Sequence, residues 1–276
     1  MPLARLDNEV IFKKAFTDKL VFTQLVKDIL GIEIDVDTIE TDKRFKPKIA
    51  SVDFAYDIFA ESKDNRTIIE IQKVNSDYGF KSFLPYHALA IAELQRRTTD
   101  DPVEKTIYTL VFIMVPYVIK DKQGHPVKDD VLISDVNPKN RQGEIVNLYG
   151  HQAIFLNGSC YRNEDTPPSY ADWLDLVYES IKNPENPNIN LENEAIKRVA
   201  ELIDEDNLTP GEIRAAKIAA AQEETCKLYE RMAKEEGLME GKLETAKKMK
   251  AKGFDVETIA EMTGLDADTL NQIEMD

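Results

Sequence analysis

Two carboxylates stand where apolar strands would be expected to exclude them. Asp57 lies in the run Phe-Ala-Tyr-Asp-Ile-Phe-Ala-Glu that starts at Phe54, and Glu70 lies in Thr-Ile-Ile-Glu-Ile-Gln that starts at Thr67. Ser62, Lys63, Asp64 and Asn65 between them are turn residues, so the two runs read as a β-hairpin. Strand side chains alternate between faces. Counting by two puts Asp53, Ala55 and Asp57 on one face, opposite Phe54, Tyr56 and Ile58. In the second strand it puts Glu70 and Gln72 with Ile68, opposite Ile69 and Ile71. A turn centred on Lys63-Asp64 sets Asp57 across from Glu70, and one centred on Asp64-Asn65 sets it across from Gln72. In either register Asp57, Glu70 and Gln72 fall on one face, within cross-strand reach.

Facing carboxylates repel and are costly to desolvate, so the pair needs a reason. One is that this face of the hairpin is wet, as the outer side of many antiparallel sheets is. The other is a divalent cation. An oxygen-only donor set suits Mg²⁺ or Mn²⁺ and not Zn²⁺, and such an ion can activate water and stabilise charge on a phosphoryl group. Spacing leaves both readings open.

The elements around this pair alternate in type. From Val10 to Ile29 the apolar residues recur at helical period, and Gly31 supplies a stop. A second helix is expected over 82–97, starting near Pro85, and carries His87. A buried strand is expected over Thr106–Ile119, a strand at 131–136, a strand pair over Glu144–Asn157 and a closing helix over Tyr170–Ile181. This order implies a mixed α/β core. Asn183–Asn190, rich in Pro and Asn, is the expected linker, dividing a core of residues 1–182 from a helical tail of residues 191–276. The tail ends with the cadence helix, Gly turn, helix, Gly-Leu turn, helix, as in a small helix-turn-helix unit. Its last helix, Asp266–Ile273, is acidic and lacks Lys and Arg, which disfavours direct base reading and favours a dimerisation or partner-docking module.

Other chemistries find little support. No apolar run reaches the ~20 residues of a membrane span, and the N-terminus lacks a signal-peptide core. Cys160 and Cys226 form neither a disulfide framework nor a metal site, which points to a reducing, cytoplasmic setting. No P-loop, dinucleotide fingerprint or G-x-S-x-G elbow occurs, and no zinc spacing joins His125 and His151. The net charge of −16 lowers the expectation of nucleic-acid binding, but the tail from Leu191 carries −9 of it and leaves basic patches at Asp42–Lys48 and Arg96-Arg97.

Taken together, the motifs resemble the PD-(D/E)XK nuclease superfamily, and more narrowly its Rpn-like branch, the recombination-promoting nucleases often labelled PD-(D/E)XK family transposases. The branch pattern of Asp-Ile-φ-Ala followed by Glu-φ-Gln, φ being apolar, is met by Asp57-Ile58-Phe59-Ala60 and Glu70-Ile71-Gln72. Its N-terminal motif is met by Glu9 and Phe12-Lys13-Lys14-Ala15-Phe16, and its C-terminal motif by Ile259-Ala260-Glu261-Met262-Thr263-Gly264-Leu265. The resemblance implies a restriction-endonuclease-like α/β fold, a mixed sheet flanked by helices, with an all-helical C-terminal tail. It implies a metal-dependent DNA endonuclease acting in recombination or on mobile elements, with Mg²⁺ or Mn²⁺ as cofactor and DNA as partner. Asp57 and Glu70 would be metal ligands with the backbone carbonyl of Ile71, and Glu9 an accessory carboxylate. Gln72 stands where most of the superfamily has lysine, although the branch also carries Gln there. His87 is an accessory candidate for touching phosphate or water, weighed against a structural role. No membrane partner is implied, and paired cuts would favour a homodimer or other homo-oligomer through the tail. The alternatives are a catalytically weak scaffold that binds DNA or protein, and a tail-driven assembly protein.

Overall fold

The computed structural model describes residues 1–36, 38–45, 54–62, 64–72, 84–92, 105–114, 119–127, 129–160 and 162–272. The chain forms two compact units, Met1–Ala216 and Lys217–Asp276.

In the first unit the N-terminal apolar period makes two helices, α1 (Glu9–Phe16) and α2 (Lys19–Leu30), where counting gave one. Asp18 causes the break: its side chain accepts from the amides of Leu20 and Val21 and starts a new helix. Asn8 caps α1 in the same way, and Gly31, at φ 68°, ends α2 in the left-handed conformation that glycine adopts without steric cost.

Six strands form one mixed sheet: β1 (Ile39–Phe45), β2 (Phe54–Glu61), β3 (Asn65–Gln72), β4 (Thr106–Ile113), β7 (Val131–Asp135) and β8 (Gln152–Asn157). Their order is β1-β2-β3-β4-β8-β7, with β3–β4 and β4–β8 parallel and the other neighbours antiparallel. A small hairpin, β5 (Ile119–Lys120) with β6 (Pro126–Val127), stands apart from it. The expected strand pair near residues 144–157 is a single strand, β8, and Ile145 makes only an isolated bridge to Lys139. The loop before β8 is organised by the Asn137 side chain, whose oxygen accepts from the amides of Leu148, Tyr149 and Gly150.

Helices cover both faces of the sheet. On one face α1 and α2 pack with α4 (Pro168–Lys182) and α5 (Glu194–Ile203), burying Phe12, Phe16, Leu25, Trp173, Val177 and Ile196 against Ile58, Leu110, Phe112 and Leu156. On the other, helical residues 84–92 (α3) set Ala90, Tyr86 and Ile91 against Tyr56, Phe59, Ile68 and Ile107. Gly158, just past β8, is fixed by this packing: a Cβ there would lie 2.3 Å from Val177 Cγ1.

The Asn183–Asn190 stretch is not where the compact units divide. The helix beyond it, α5, buries Ala195, Ile196, Val199, Ala200 and Ile203 in the main core, so the first unit continues to Ala216. The linker's composition recorded a turn between packed helices, because Pro and Asn mark turns inside domains as well as between them.

α6 (Pro210–Ala251) runs from the end of the first unit into the second. Its start is a capping box: Thr209 Oγ1 accepts from the Glu212 amide at 3.3 Å, and Glu212 Oε2 accepts from the Thr209 amide at 2.8 Å. In the second unit the end of α6 folds with α7 (Val256–Thr263) and α8 (Ala267–Gln272) around Ala246, Ile259, Leu265 and Leu270. Asp255 and Asp266 cap the two short helices, and Gly253 and Gly264 make the turns. The three-helix cadence read from sequence is therefore present. Among the described residues no helix is long and apolar enough to cross a membrane.

Candidate functional site

The hairpin β2–β3 positions the carboxylates. Ile58 pairs with Ile69, Phe59 with Ile68 and Glu61 with Arg66. That register is the one a turn centred on Lys63-Asp64 predicts, and its pairing runs from Glu61–Arg66 to Ile58–Ile69, one residue short of Asp57 and Glu70. The closed end of the hairpin is locked by charge. Buried Arg66 donates to Glu61 at 3.2 Å and to the Ala90 carbonyl at 3.2 Å, with its guanidinium 5.3 Å from the Phe59 ring centroid. Lys105 reaches the Ser62 carbonyl at 2.6 Å and Glu61 at 3.0 Å. Burial alone would raise the Glu61 pKa, but these two cations hold it below its ordinary value. A turn pinned in this way holds the register as far as Ile58–Ile69.

At Asp57 the regular alternation fails. Tyr56 and Phe59 join the cluster under α3, whereas Ile58 and Ala60 join the core under α1. Tyr56 and Ile58, expected on one face, thus go to opposite sides. The β1–β2 ladder is interrupted at the same point: Thr41 pairs with Ile58 and Lys43 with Tyr56, and the residues between them are Asp42 and Asp57. Asp42 has φ 53°, the single left-handed non-glycine residue among those described. Strained backbone of this kind costs of order 1–3 kcal/mol and persists where surrounding structure holds it.

Lys13 of α1 is what the carboxylates meet there. Its ammonium donates to Glu9, one turn earlier, and to Asp42 Oδ1 at 2.7 Å, and lies 3.7 Å from Asp57 Oδ1. The Lys13 side chain is 13% exposed and that of Asp57 20%. Burial alone would lower the Lys13 pKa, but the hydrogen bonds it donates to Asp42 and Glu9 and the charges of Glu9 and Asp57 outweigh it and hold the pKa above its ordinary value. In the sequence Lys13 stands only inside the Phe12–Phe16 motif, with no role given to it, and Asp42 only at the start of a basic patch. The i,i+4 spacing of Glu9 and Lys13 was a local signal for their pairing. Asp42 had no signal, since its stretch read as a basic patch.

The other expected residues lie as follows. Glu9, the accessory carboxylate, pairs with Lys13. The backbones of Glu70, Ile71 and Gln72 pair in parallel with Val111, Phe112 and Ile113 of β4. The side chains of those three residues, together with Asp53, Arg96 and Arg97, lie outside the described residues. His87 of α3 is buried beneath the sheet, its Nδ1 2.9 Å from Thr109 Oγ1 and its Nε2 without a hydrogen-bond partner among the described residues. Burial, with repulsion from His151, pushes its pKa down to about 4. His151 Nδ1 accepts from the Ile107 amide at 3.0 Å, and burial lowers its pKa too.

Among the described residues no three His, Cys, Asp or Glu side chains converge to hold a metal ion; Glu9, Asp42 and Asp57 share Lys13 without forming such a group. The donor chemistry of Asp57 and Glu70, carboxylate oxygen alone, fits a hard divalent cation.

In the second unit α8 carries no Lys or Arg, while Lys247, Lys248 and Lys250 lie in the last turns of α6 and Lys252 just past its end. Residues 239–275 match the family described as the Rpn/YhgA-like nuclease family, C-terminal HTH domain. The match covers the end of α6 with α7 and α8 and includes no strand of the sheet; it is consistent with an Rpn-like PD-(D/E)XK branch. No curated protein and no solved structure matches the chain.

Proposed function

We propose that this chain, whose residues 239–275 match the C-terminal HTH domain of the Rpn/YhgA-like nuclease family, is a metal-dependent endodeoxyribonuclease that hydrolyses phosphodiester bonds in a recombination or mobile-element setting. The observation that carries the nuclease class is the family match at residues 239–275. The hairpin register supports placing the site at Asp57 and Glu70, because its last pair, Ile58 with Ile69, leaves those two residues next along the two strands.

In this reading Asp57, Glu70 and the carbonyl of Ile71 would hold Mg²⁺ or Mn²⁺. When bound there, such an ion would supply Lewis acidity toward a phosphoryl oxygen and toward water. Gln72 is neutral, so it orients water or phosphate by hydrogen bonding and contributes no positive charge. His87, neutral at pH 7 and bonded to Thr109, holds α3 on the sheet. The helix-turn-helix unit supplies DNA affinity, and since α8 lacks cations, the lysines at the end of α6 face the phosphates.

The test is a labelled DNA duplex incubated with Mg²⁺, with Mn²⁺ or with chelator. Cleavage only in the metal lanes supports the reading. Salt-dependent retention of the duplex without cleavage supports the scaffold alternative. Self-association is a second reading favoured by a specific observation: Leu228, Tyr229, Met232, Leu238 and Met239 of α6 are all exposed. Light scattering tests it, with concentration-dependent mass expected in the full chain and lost on truncation after Ala216.

A further inference from the structure

We propose that Lys13 is a positioning residue of the Asp57 site, and that its ammonium is the resident cation with which a divalent ion competes for the Asp57 carboxylate. The inference rests on the reading of Asp57 as a metal ligand and concerns a residue to which that reading gives no part.

Three features converge on it. Lys13 is largely buried and contacts three carboxylates, Glu9, Asp42 and Asp57, drawn from α1, β1 and β2. The nearer contact on the sheet side is Asp42, at 2.7 Å against 3.7 Å for Asp57, so Lys13 is tethered chiefly by residues other than the proposed ligand. Asp42 itself is held in a left-handed backbone at the interruption of the ladder opposite Asp57. An aspartate kept in that conformation while bonded to Lys13 is what a structure would retain to restrain the ammonium near Asp57 without surrendering it fully to that carboxylate.

Electrostatics gives the direction. A fixed positive charge 3.7 Å from a carboxylate oxygen attracts that carboxylate and repels a second cation that approaches it. Removing the Lys13 charge should tighten divalent-ion binding. Removing the Asp42 charge frees Lys13 to close on Asp57 and should weaken it. Damage to the fold would weaken both, so the opposed signs separate positioning from mere structure.

The experiment is calorimetric titration of the full chain with Mn²⁺ in the absence of DNA, comparing the unaltered protein with Asp57→Asn, Lys13→Met, Lys13→Arg and Asp42→Asn. Asparagine at residue 42 tolerates the left-handed backbone. The expected result is binding lost in Asp57→Asn, about tenfold tighter in Lys13→Met and several-fold weaker in Asp42→Asn. Lys13→Arg, which keeps the charge, should restore the unaltered affinity. Equal or weaker binding by Lys13→Met, with binding still lost in Asp57→Asn, overturns this inference alone. No Mn²⁺ binding by the unaltered protein, or binding untouched by Asp57→Asn, overturns the metal-ligand reading and this inference with it.

Discussion

Acidification should unfold this protein in part through His87. In the folded state burial and the neighbouring His151 depress its pKa to about 4, against an ordinary value of 6.5. Between those two values the unfolded chain binds a proton that the folded chain refuses. Stability therefore rises with pH across the window and is lost as pH falls from 6.5 toward 4. The linkage relation gives a slope of about 1.2 kcal/mol per pH unit near pH 5 and a total of about 3 kcal/mol between pH 7 and pH 4. That is a large share of the ~5–15 kcal/mol that holds a domain together. The geometry explains why relief is scarce: Nδ1 faces the Thr109 hydroxyl, no carboxylate hydrogen-bonds the ring among the described residues, and the nearby titratable group is another histidine. The assay is urea unfolding at half-unit steps from pH 7 to pH 4, on the unaltered protein and on His87→Gln, which retains hydrogen-bonding capacity toward Thr109. Carboxylates shared by both proteins cancel in the difference. The unaltered protein should lose about 3 kcal/mol more than the variant over this range. Parallel stability curves would refute the assignment of His87 as a buried neutral base.

Other perturbations have definite signs. Gly158→Ala places a Cβ 2.3 Å from Val177 Cγ1 and should cost about 1–3 kcal/mol by thermal or urea unfolding, with Val177→Ala recovering part of the loss. Glu212→Gln removes the partner of Lys14, 2.8 Å away, and weakens the α6 capping box, for about 1 kcal/mol after allowance for solvent screening. Its carboxyl is held down to about 2, first by Lys14 and then by Thr209. That contribution is complete above the ordinary value of 4.5 and lost as pH falls toward 2, so Glu212→Gln should flatten the acid limb of the unfolding curve there. Arg66→Met strips Glu61 of a cation that it pairs with at the hairpin turn and should cost about 3 kcal/mol in unfolding experiments.

The fold class was legible because its signals are local. The β-branched run at residues 106–113, the Ser62–Asn65 turn and the helical period of α4 each fix an element without reference to distant residues. The two Gly turns placed the three-helix end for the same reason. What counting missed depended on partners far along the chain. The apolar period over Val10–Ile29 runs on through Asp18, whose cap divides it in two. The Pro/Asn stretch looked like a boundary, while the apolar face of α5 decided where the core ends. In the candidate site the hairpin register came from turn chemistry. The broken alternation at Asp57 coincides with Asp42 and Lys13, two residues on other elements that no period-two rule contains.

The most direct measurement is the conversion of supercoiled plasmid by the purified chain, with Mg²⁺ or Mn²⁺ and with chelator, beside Asp57→Ala and Glu70→Ala proteins shown to be folded. The account predicts nicked or linear product that requires the metal and disappears in both variants. Intact plasmid in every metal lane, or cleavage that survives both substitutions, would contradict it.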